Sequence, residues 1–263
     1  ISGTPSSAGV FAFSAQMRDS AGSPLTATLT FTINVAAAPV AGSTLWSADF
    51  ETGSTSQWYA PSTGPTGNYG GGEFNSGSAY SQVTQAFAHS GSWALEMNIV
   101  TPPESGTRMF RWREPQTNSK LYYSVWYYFP QRYTVANYWN VFQWKSKRTN
   151  GAVDPFFVVN VGNRPDGTMN LYLYNWQQRQ SFPQSVKNIP VGQWFKVEAM
   201  YQCAADGTGQ VSVWQDGALL FDLRNVQTRY ADGDCQWSVD NYSDGVSPSP
   251  AKIYIDDAAI ILK

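Results

Sequence analysis

The stretch that decides the fold runs from Asn140 to Arg148 and reads N-V-F-Q-W-K-S-K-R. Successive side chains of a β-strand point to opposite faces of the sheet. Phe142 and Trp144 are therefore expected to face a hydrophobic core. The opposite face carries Val141, Gln143, Lys145 and Lys147, and it is polar and basic except for Val141. Such a strand fits the floor of a sugar-binding groove, or, as the alternative, a sheet face that is simply exposed to solvent.

Short strands are predicted at regular spacing along most of the chain, at 107–114, 121–129, 139–147, 155–162, 169–175, 194–202, 210–216, 218–223, 235–242 and 251–262. Turn signals such as N-R-P-D-G-T (163–168) and A-D-G-T-G (205–209) separate them. No segment shows a sustained period of 3.6 residues. The pattern predicts an all-β fold with very little helix: a jelly-roll sandwich of two antiparallel sheets.

The first 38 residues form a separate segment. The turn D-S-A-G-S-P (19–24) precedes an alternating strand, 25–35. The pattern S-G-T-P…A-G…D-S-A-G resembles the second half of a bacterial immunoglobulin-like repeat. We therefore predict a partial immunoglobulin-like segment at 1–38, a linker at 39–44 and one large β domain at 45–263. Because Ile1 lies within a pattern and no signal peptide is visible, we expect a mature or truncated form.

The composition limits the classes of partner. The 263 residues carry a formal net charge of -2, which favours neither nucleic acid nor an acidic membrane surface. No apolar run approaches the roughly 18 residues of a membrane span. Aromatic residues make up 15% of the chain and exceed the 14% that are charged. Rings outside a core provide flat surfaces for sugar stacking, so we expect a carbohydrate ligand; a sandwich with aromatic core strands is the alternative.

Cys203 ends one predicted strand and Cys235 begins another, which favours a disulfide between them. The 31-residue loop between them would make it worth about 3 kcal/mol in the chain-entropy model. Two unpaired buried thiols are the alternative. A disulfide in a chain rich in Gly, Ser, Thr and Asn predicts a secreted, extracellular protein.

Carboxylates near both ends of the large domain predict a calcium site. Asp49 and Glu51 lie near its start, and Asp256 and Asp257 near its end. First and last strands of jelly rolls often lie side by side, and carboxylate oxygens suit Ca²⁺. The segments F-E-T-G, H-S-G-S-W-A-L and I-D-D-A resemble the calcium-holding parts of jelly-roll carbohydrate-binding modules. The resemblance implies a structural ion held by Glu51, the Ser90–Trp93 turn and Asp256 or Asp257; carboxylates bonded to turn amides are the alternative.

Several hydrolytic mechanisms have weak support in the sequence. The single histidine, His89, lies in a turn and is not expected to catalyse. There is no G-x-S-x-G motif for a serine nucleophile. A two-carboxylate glycosidase would need a pair such as Glu114 and Glu198, and nothing in the sequence brings these two together.

Cleavage of a uronate chain by β-elimination needs a different set of groups. The substrate carboxylate must be neutralised, a base must remove the C5 proton, and the leaving oxygen must be protonated. Three segments resemble strand motifs of a known family that carries out this chemistry, and they occur in the same order along the chain. They are T-R-M-F-R-W-R-E (107–114), F-Q-W-K-S (142–146) and C-Q-W-S-V-D-N-Y-S-D (235–244). From Leu45 to Lys263 the chain resembles the jelly-roll alginate, glucuronan and heparin-type polysaccharide lyases, which have a concanavalin A-like fold.

The resemblance implies roles for individual residues. Gln143 corresponds to the glutamine that neutralises the carboxylate, Arg111, with Arg108 or Arg113, to the substrate-binding arginine, and Tyr242 to the catalytic tyrosine. Three positions depart from the family pattern. Lys145 stands in place of a histidine, Ser238 in place of a lysine and Asp244 in place of a glutamine. Tyr242 can act as both base and acid if a cation lowers its pKa, and Lys145 is placed either to do so or to replace the histidine.

The sequence therefore predicts a secreted, monomeric lyase acting on uronate-containing polysaccharide. The remaining candidate substrate-binding residues are Asn160 and Asn241, which offer amides, and Trp139, Tyr172 and Tyr174, which offer rings for stacking. A non-catalytic carbohydrate-binding module for cellulose or another plant polysaccharide is the alternative.

Overall fold

The computed structural model describes residues 9–35, 42–60, 70–112 and 120–263. The chain divides into two compact units, residues 1–42 together with 263, and residues 43–262. Within the described residues, no helix is long and apolar enough to cross a membrane.

The first unit contains one antiparallel hairpin, β1 (Gly9–Arg18) and β2 (Thr26–Val35). Asp19 Oδ1 closes its turn by accepting hydrogen bonds from the amides of Ala21 (3.2 Å) and Leu25 (3.0 Å). The rings of Phe13 and Phe31 stack with centroids 5.3 Å apart. The immunoglobulin-like character of this segment and the predicted domain bounds stay predictions.

The second unit is nearly all strand. Its elements are β3 (Ser43–Ala48), α1 (Ser56–Tyr59), β4 (Gly70–Ser76), β5 (Tyr80–Thr84), β6 (Ala94–Ile99), β7 (Ser105–Trp112), β8 (Lys120–Tyr128), β9 (Thr134–Val135), β10 (Trp139–Arg148), β11 (Val153–Asn163), β12 (Met169–Asn175), β13 (Gln180–Phe182), β14 (Trp194–Gln202), β15 (Gly209–Gln215), β16 (Ala218–Val226), β17 (Gly233–Ser243), β18 (Val246–Ser247) and β19 (Ala251–Leu262). These bounds confirm the strands predicted from alternation and turn signals, except that the last two residues of 107–114 lie outside the described residues.

Two large antiparallel sheets form the sandwich. A seven-stranded sheet has the order β13-β12-β11-β10-β17-β7-β4, and an eight-stranded sheet has the order β16-β15-β14-β8-β19-β6-β5, with β3 also paired to β19. Strands distant in sequence are neighbours in both sheets, as in a jelly roll. The predicted fold class is confirmed.

The core between the sheets is rich in aromatic rings. Trp144 stacks on Tyr201 with centroids 4.6 Å apart, and Trp237 contacts Trp46, Trp58 and Tyr123 at 5.0–6.1 Å. Phe142 and Trp144 are fully buried, as the alternation of β10 predicts. Much of the aromatic surplus therefore serves the core, which is the alternative that composition left open.

A disulfide links Cys203, just after β14, to Cys235 in β17, with Cα atoms 6.5 Å apart. It joins the end of β14 in the eight-stranded sheet to β17, an interior strand of the seven-stranded one. The pairing predicted from the strand ends is confirmed.

Replacing both cysteines by alanine is expected to lower the free energy of unfolding by about 3 kcal/mol, because the cross-link restricts the unfolded chain. For a domain of this size that corresponds to a fall in Tm of roughly 6–12 °C, measurable by calorimetry. Each single variant should lose about as much as the double variant. A double variant with the same Tm as the oxidised wild type would contradict the expectation.

Candidate active site

One face of the seven-stranded sheet carries a groove of about 640 Å³. This volume lies within the range of about 300–1,000 Å³ typical of ligand sites. The described side chains that line it include Glu104, Arg108, Asn137, Tyr138, Asn140, Gln143, Lys145, Asn160, Tyr172, Tyr174, Trp176 and Tyr242. The Asn140–Arg148 strand lies at the centre of the groove floor, as the sequence predicts for a sugar-binding groove.

A register shift in β10 sets which side chains reach the groove. Against both β11 and β17, pairing slips between Asn140 and Phe142. Such bulges re-aim side chains. Asn140 and Gln143 both line the groove although they are three residues apart. Val141, predicted on the groove face, is buried in the core instead.

Arg108 lines the groove. It is paired with Asp240 across β7 and β17, and its Nε lies 3.0 Å from Asp240 Oδ1. Asp240 is fully buried, and burial raises its pKa, an effect that the positive charges of Arg108 and Lys145 oppose. A buried carboxylate of this kind holds the guanidinium in place beside the groove.

Lys145 is a cation that can lose its proton near neutral pH. Burial, followed by the like charge of Arg108, lowers its pKa to about 8, although Asp240 and Asp154 favour the protonated form. A fraction of the amine is therefore neutral at mildly alkaline pH. A neutral amine beside a substrate is a general base.

Tyr242 lies with its ring over the backbone of β7. A Cβ on Gly106 would come within 1.7 Å of Tyr242 Cδ2, so only glycine permits this close approach. The guanidinium carbon of Arg108 lies 4.3 Å from the centre of the same ring. The ring is thus fixed between a glycine backbone and a cation.

The hydroxyl of Tyr242 donates a hydrogen bond to Glu104, and so does the hydroxyl of Tyr138. Burial and Glu104 together raise the pKa of Tyr242 to about 12, although Arg108 opposes this. The positive charge of Arg108 lowers the pKa of Tyr242, but it does not offset burial and Glu104, and the net shift is upward. At neutral pH the phenol is protonated, which suits a proton donor.

Two amides in the floor have unused oxygen atoms. Gln143 is 1% and Asn160 2% exposed, and neither Gln143 Oε1 nor Asn160 Oδ1 has a hydrogen-bond partner within the described part of the chain. An unpaired buried polar atom costs about 1–3 kcal/mol, and such atoms are kept where a ligand or water satisfies them. Both amides are placed to bind a polar group in the groove.

Arg111 does not reach the groove. It lies two residues from buried Met109 in β7, so both side chains point to the same face of the sheet. Its Nη1 donates hydrogen bonds to the carbonyls of Trp58 (2.7 Å) and Ala60 (3.1 Å). The predicted substrate-binding role of Arg111 is therefore wrong, because side chains three residues apart in a regular strand lie on opposite faces. Arg113 lies outside the described residues.

Two other predicted contact residues belong to the core. Trp139 is fully buried, and its Nε1 donates to Asn241 Oδ1 at 2.7 Å. Asn241 in turn donates to the carbonyls of Met97 and Ala251. Neither residue can contact a polysaccharide.

Tyr172 and Tyr174 line the groove, as predicted for stacking residues. Trp176, Tyr138 and Glu104 line it too, and sequence reasoning missed them. Trp176 continues the i, i+2 spacing of the two tyrosines one step past the end of β12, a signal that could have identified it.

Two of the carboxylates predicted to bind calcium accept hydrogen bonds from the backbone amides of the turn at residues 89–93. Glu51 Oε1 accepts hydrogen bonds from the amides of Ser92 (2.8 Å) and Trp93 (2.7 Å). Asp256 Oδ2 accepts from those of His89 (2.9 Å) and Ser90 (3.2 Å). Asp256 is fully buried, and burial raises its pKa to about 6.

The other two carboxylates of that set also have protein partners. Asp49 accepts from Gln57 at 2.8 Å, and Asp257 lies 2.6 Å from His89 Nδ1. Within the described ranges, no group of three or more Asp, Glu, His or Cys side chains is arranged to hold a metal ion. The side chains as placed do not form a calcium site, and calcium binding stays a prediction that the mechanism does not use.

Two further candidates lie away from the groove. The ring of His89 stacks on Trp126 with centroids 3.8 Å apart, on the eight-stranded sheet. Glu198, the glycosidase candidate, is in β14 of that same sheet and bonds Lys196 at 3.0 Å. Its proposed partner Glu114 lies outside the described residues. Glu104 is the one carboxylate among the described residues lining the groove.

Solved structures with similar folds include lyases. The chain is similar to the endo-β-1,4-glucuronan lyase from the fungus Trichoderma reesei, with a TM-score of 0.56 and 16% identity, over 72% of this chain and 90% of that one. The marine PL-14 alginate lyase from Aplysia kurodai gives 0.55 and 11%, over 84% and 100%. An alginate lyase in complex with alginate trisaccharide gives 0.55 and 12%, over 83% and 98%. At these identities the likeness establishes the fold.

No curated protein sequence matches the chain significantly. A family model described as polysaccharide lyase matches residues 50–259, which is most of the second unit. The match confirms the resemblance drawn from the three strand motifs, and it favours the enzyme over the binding module. The chain belongs to the polysaccharide lyase family.

Proposed function

We propose that the groove binds a uronate-containing polysaccharide and cleaves it by β-elimination. The observation that carries the proposal is that Arg108, Gln143, Lys145 and Tyr242 line the same groove. Together they supply a cation, an amide, a base with a pKa near neutrality and a protonated acid.

The substrate carboxylate is held by Arg108, with the amides of Gln143 and Asn160. Arg108 supplies positive charge, and each amide can turn its NH₂ toward a carboxylate oxygen. Charge-assisted hydrogen bonds in a partly desolvated groove stabilise the carbanion-like charge that builds on the carboxylate when the C5 proton leaves.

The proton transfers divide between two side chains. Neutral Lys145 takes the C5 proton, the C4–O bond breaks, and its electrons stay with the leaving oxygen as a double bond forms between C4 and C5. Tyr242 donates its proton to that oxygen. Solvent then removes the proton from Lys145 and returns one to Tyr242, so the enzyme is restored without a cofactor. This assignment follows the pKa directions, with the lower pKa on the base and the higher pKa on the acid.

The test is the ultraviolet absorbance of the unsaturated uronate, measured on a panel of polyuronates, uronate heteropolymers and neutral glucans. Absorbance growing with the acidic polymers alone is expected. Release of reducing ends without absorbance would show hydrolysis instead and would remove the proposal.

The pH dependence of kcat/KM is expected to report Lys145. Below its pKa of about 8 the amine is protonated and cannot accept a proton, so kcat/KM should fall about tenfold per pH unit. Above that pH it should level off, because Tyr242 keeps its proton up to a pKa of about 12. A bound substrate carboxylate favours the protonated amine. The fall in kcat toward low pH should therefore begin at a higher pH than the fall in kcat/KM. Activity that is constant from pH 6 to 9 would contradict Lys145 as base.

An extracellular location is part of the same proposal. The Cys203–Cys235 disulfide supports it, since such bonds persist mainly in oxidising compartments. A monomeric state stays a prediction.

A further inference from the structure

The groove has two chemically different halves. Its charged half, supplied by β7, β10, β17 and the residue before β7, presents Glu104, Arg108 and Lys145. The aromatic half, supplied by β12 and the residue after it, presents Tyr172, Tyr174 and Trp176, and Asn160 of β11 lies between the two halves. No charged side chain from residues 153–182, all of which are described, lines the groove.

The two ends of the groove are too far apart for one sugar ring to contact both. Tyr242, Asn140, Asn160 and Tyr172 are register neighbours on four adjacent strands. Three strand spacings separate the first from the last, about 14 Å. A polysaccharide that crosses the strands with one unit at Lys145 therefore places other units on the aromatic half.

The aromatic half is a surface built from side chains that the fold holds in place. Tyr172 and Tyr174 alternate along β12, both half-buried, and the ring of Tyr172 lies against Gly162. Trp176 is 46% exposed, while its backbone is anchored by a 2.9 Å hydrogen bond to the Phe156 carbonyl. Exposed rings beside a binding groove favour the apolar C–H faces of sugars.

The same surface is unfavourable for carboxylates. A carboxylate moved into a groove needs a cation or several hydrogen-bond donors to offset its lost hydration. Arg108 can serve one uronate, because Lys145 is neutral when it acts as the base. At the opposite end, the hydrogen bonds from Tyr138 and Tyr242 lower the pKa of Glu104, so this side chain is negative and repels a second carboxylate.

We propose that the substrate is a heteropolysaccharide in which the cleaved uronate is joined to neutral sugars, and that Tyr174 and Trp176 bind a neutral unit. A homopolymer of uronates would put a carboxylate against the aromatic half, where no described residue that lines the groove supplies a cation. The proposal rests on the uronate lyase function above and adds the identity of the neighbouring unit.

The test compares a polymer of alternating uronate and neutral sugar with a homopolyuronate of similar length, both followed by absorbance of the unsaturated product. A kcat/KM at least tenfold higher on the alternating polymer is expected. Equal or faster cleavage of the homopolymer would overturn the heteropolymer specificity while leaving the lyase assignment intact. No unsaturated product from either polymer would overturn the lyase assignment itself.

Variants at Trp176 test the aromatic half directly. Trp176→Ala is expected to raise KM on the alternating polymer about five- to tenfold with kcat unchanged, because stacking contributes equally before and during reaction. Trp176→Arg is expected to raise kcat/KM on the homopolymer, since it adds a cation to the aromatic half. Leu219→Ala, at a site 47% exposed on the other sheet, is the control and should behave as wild type. Unchanged kinetics in both Trp176 variants would overturn the role of the aromatic half.

Discussion

Replacing Lys145 by methionine is expected to lower kcat/KM by about 10²–10⁴-fold, the usual contribution of a general base. Methionine has a similar length and fills the same buried space, so the groove should keep its shape. The loss should appear mainly in kcat, because the base acts in the transition state. The measurement is the initial rate of unsaturated product on an acidic polymer that the wild type cleaves.

Two companion variants separate the base from its charge. Lys145→Arg keeps a positive charge but cannot lose its proton at usable pH, so it should be as inactive as the methionine variant. Lys147→Met changes the same residue type two positions along β10, at a side chain that is exposed, and should stay within a few-fold of wild type. Substantial activity in Lys145→Arg would show that the charge matters and the proton transfer does not.

Replacing Tyr242 by phenylalanine is expected to lower kcat by a comparable factor, about 10²–10⁴. The ring over Gly106 and the contact with Arg108 are preserved, so the variant removes little besides the hydroxyl. Binding of substrate should change little. Tyr80→Phe is the matched control, because the Tyr80 hydroxyl also donates to a glutamate, Glu96, but on the other sheet.

A better leaving group distinguishes the acid from the base. A synthetic substrate can carry a phenol as the leaving group at O4 of the uronate. A phenoxide leaves with little protonation, so Tyr242→Phe should recover much of its rate on this substrate. Lys145→Met should not recover, since the C5 proton must still be removed. If the rate recovered in Lys145→Met and not in Tyr242→Phe, Lys145 would be the acid and Tyr242 the base.

The fold was accessible from sequence because local signals agree with one another. Alternation in segments such as 139–147 and 169–175, together with turns at 163–168 and 205–209, marks strands with one apolar face. The order of strands within the two sheets depends on long-range packing, which no local signal carries.

The choice of arginine needed the structure. Arg108 and Arg111 lie three residues apart, so a strand must send them to opposite faces. The sequence around them, T-R-M-F-R, has apolar residues of both parities and does not say which face meets the core. Buried Met109 and the ion pair of Arg108 with Asp240 decide it.

Other parts of the site depend on features without a local sequence signature. The register shift near Val141 moves Asn140 into the groove, and simple alternation cannot foresee it. Glu104 lies outside the regular strands and meets Tyr242 only through the fold, at a separation of 138 residues. The raised pKa of Tyr242 follows from that contact and from burial.

The most direct test of the account is the mass of the products from a defined uronate-containing oligosaccharide that the wild type cleaves. Elimination adds no water, so the two fragment masses should sum to the mass of the substrate, and Lys145→Met should form both fragments at least about 100-fold more slowly. Fragments that sum to the substrate plus one water would show hydrolysis, and would contradict the assignment of Lys145, Tyr242 and Arg108 to β-elimination.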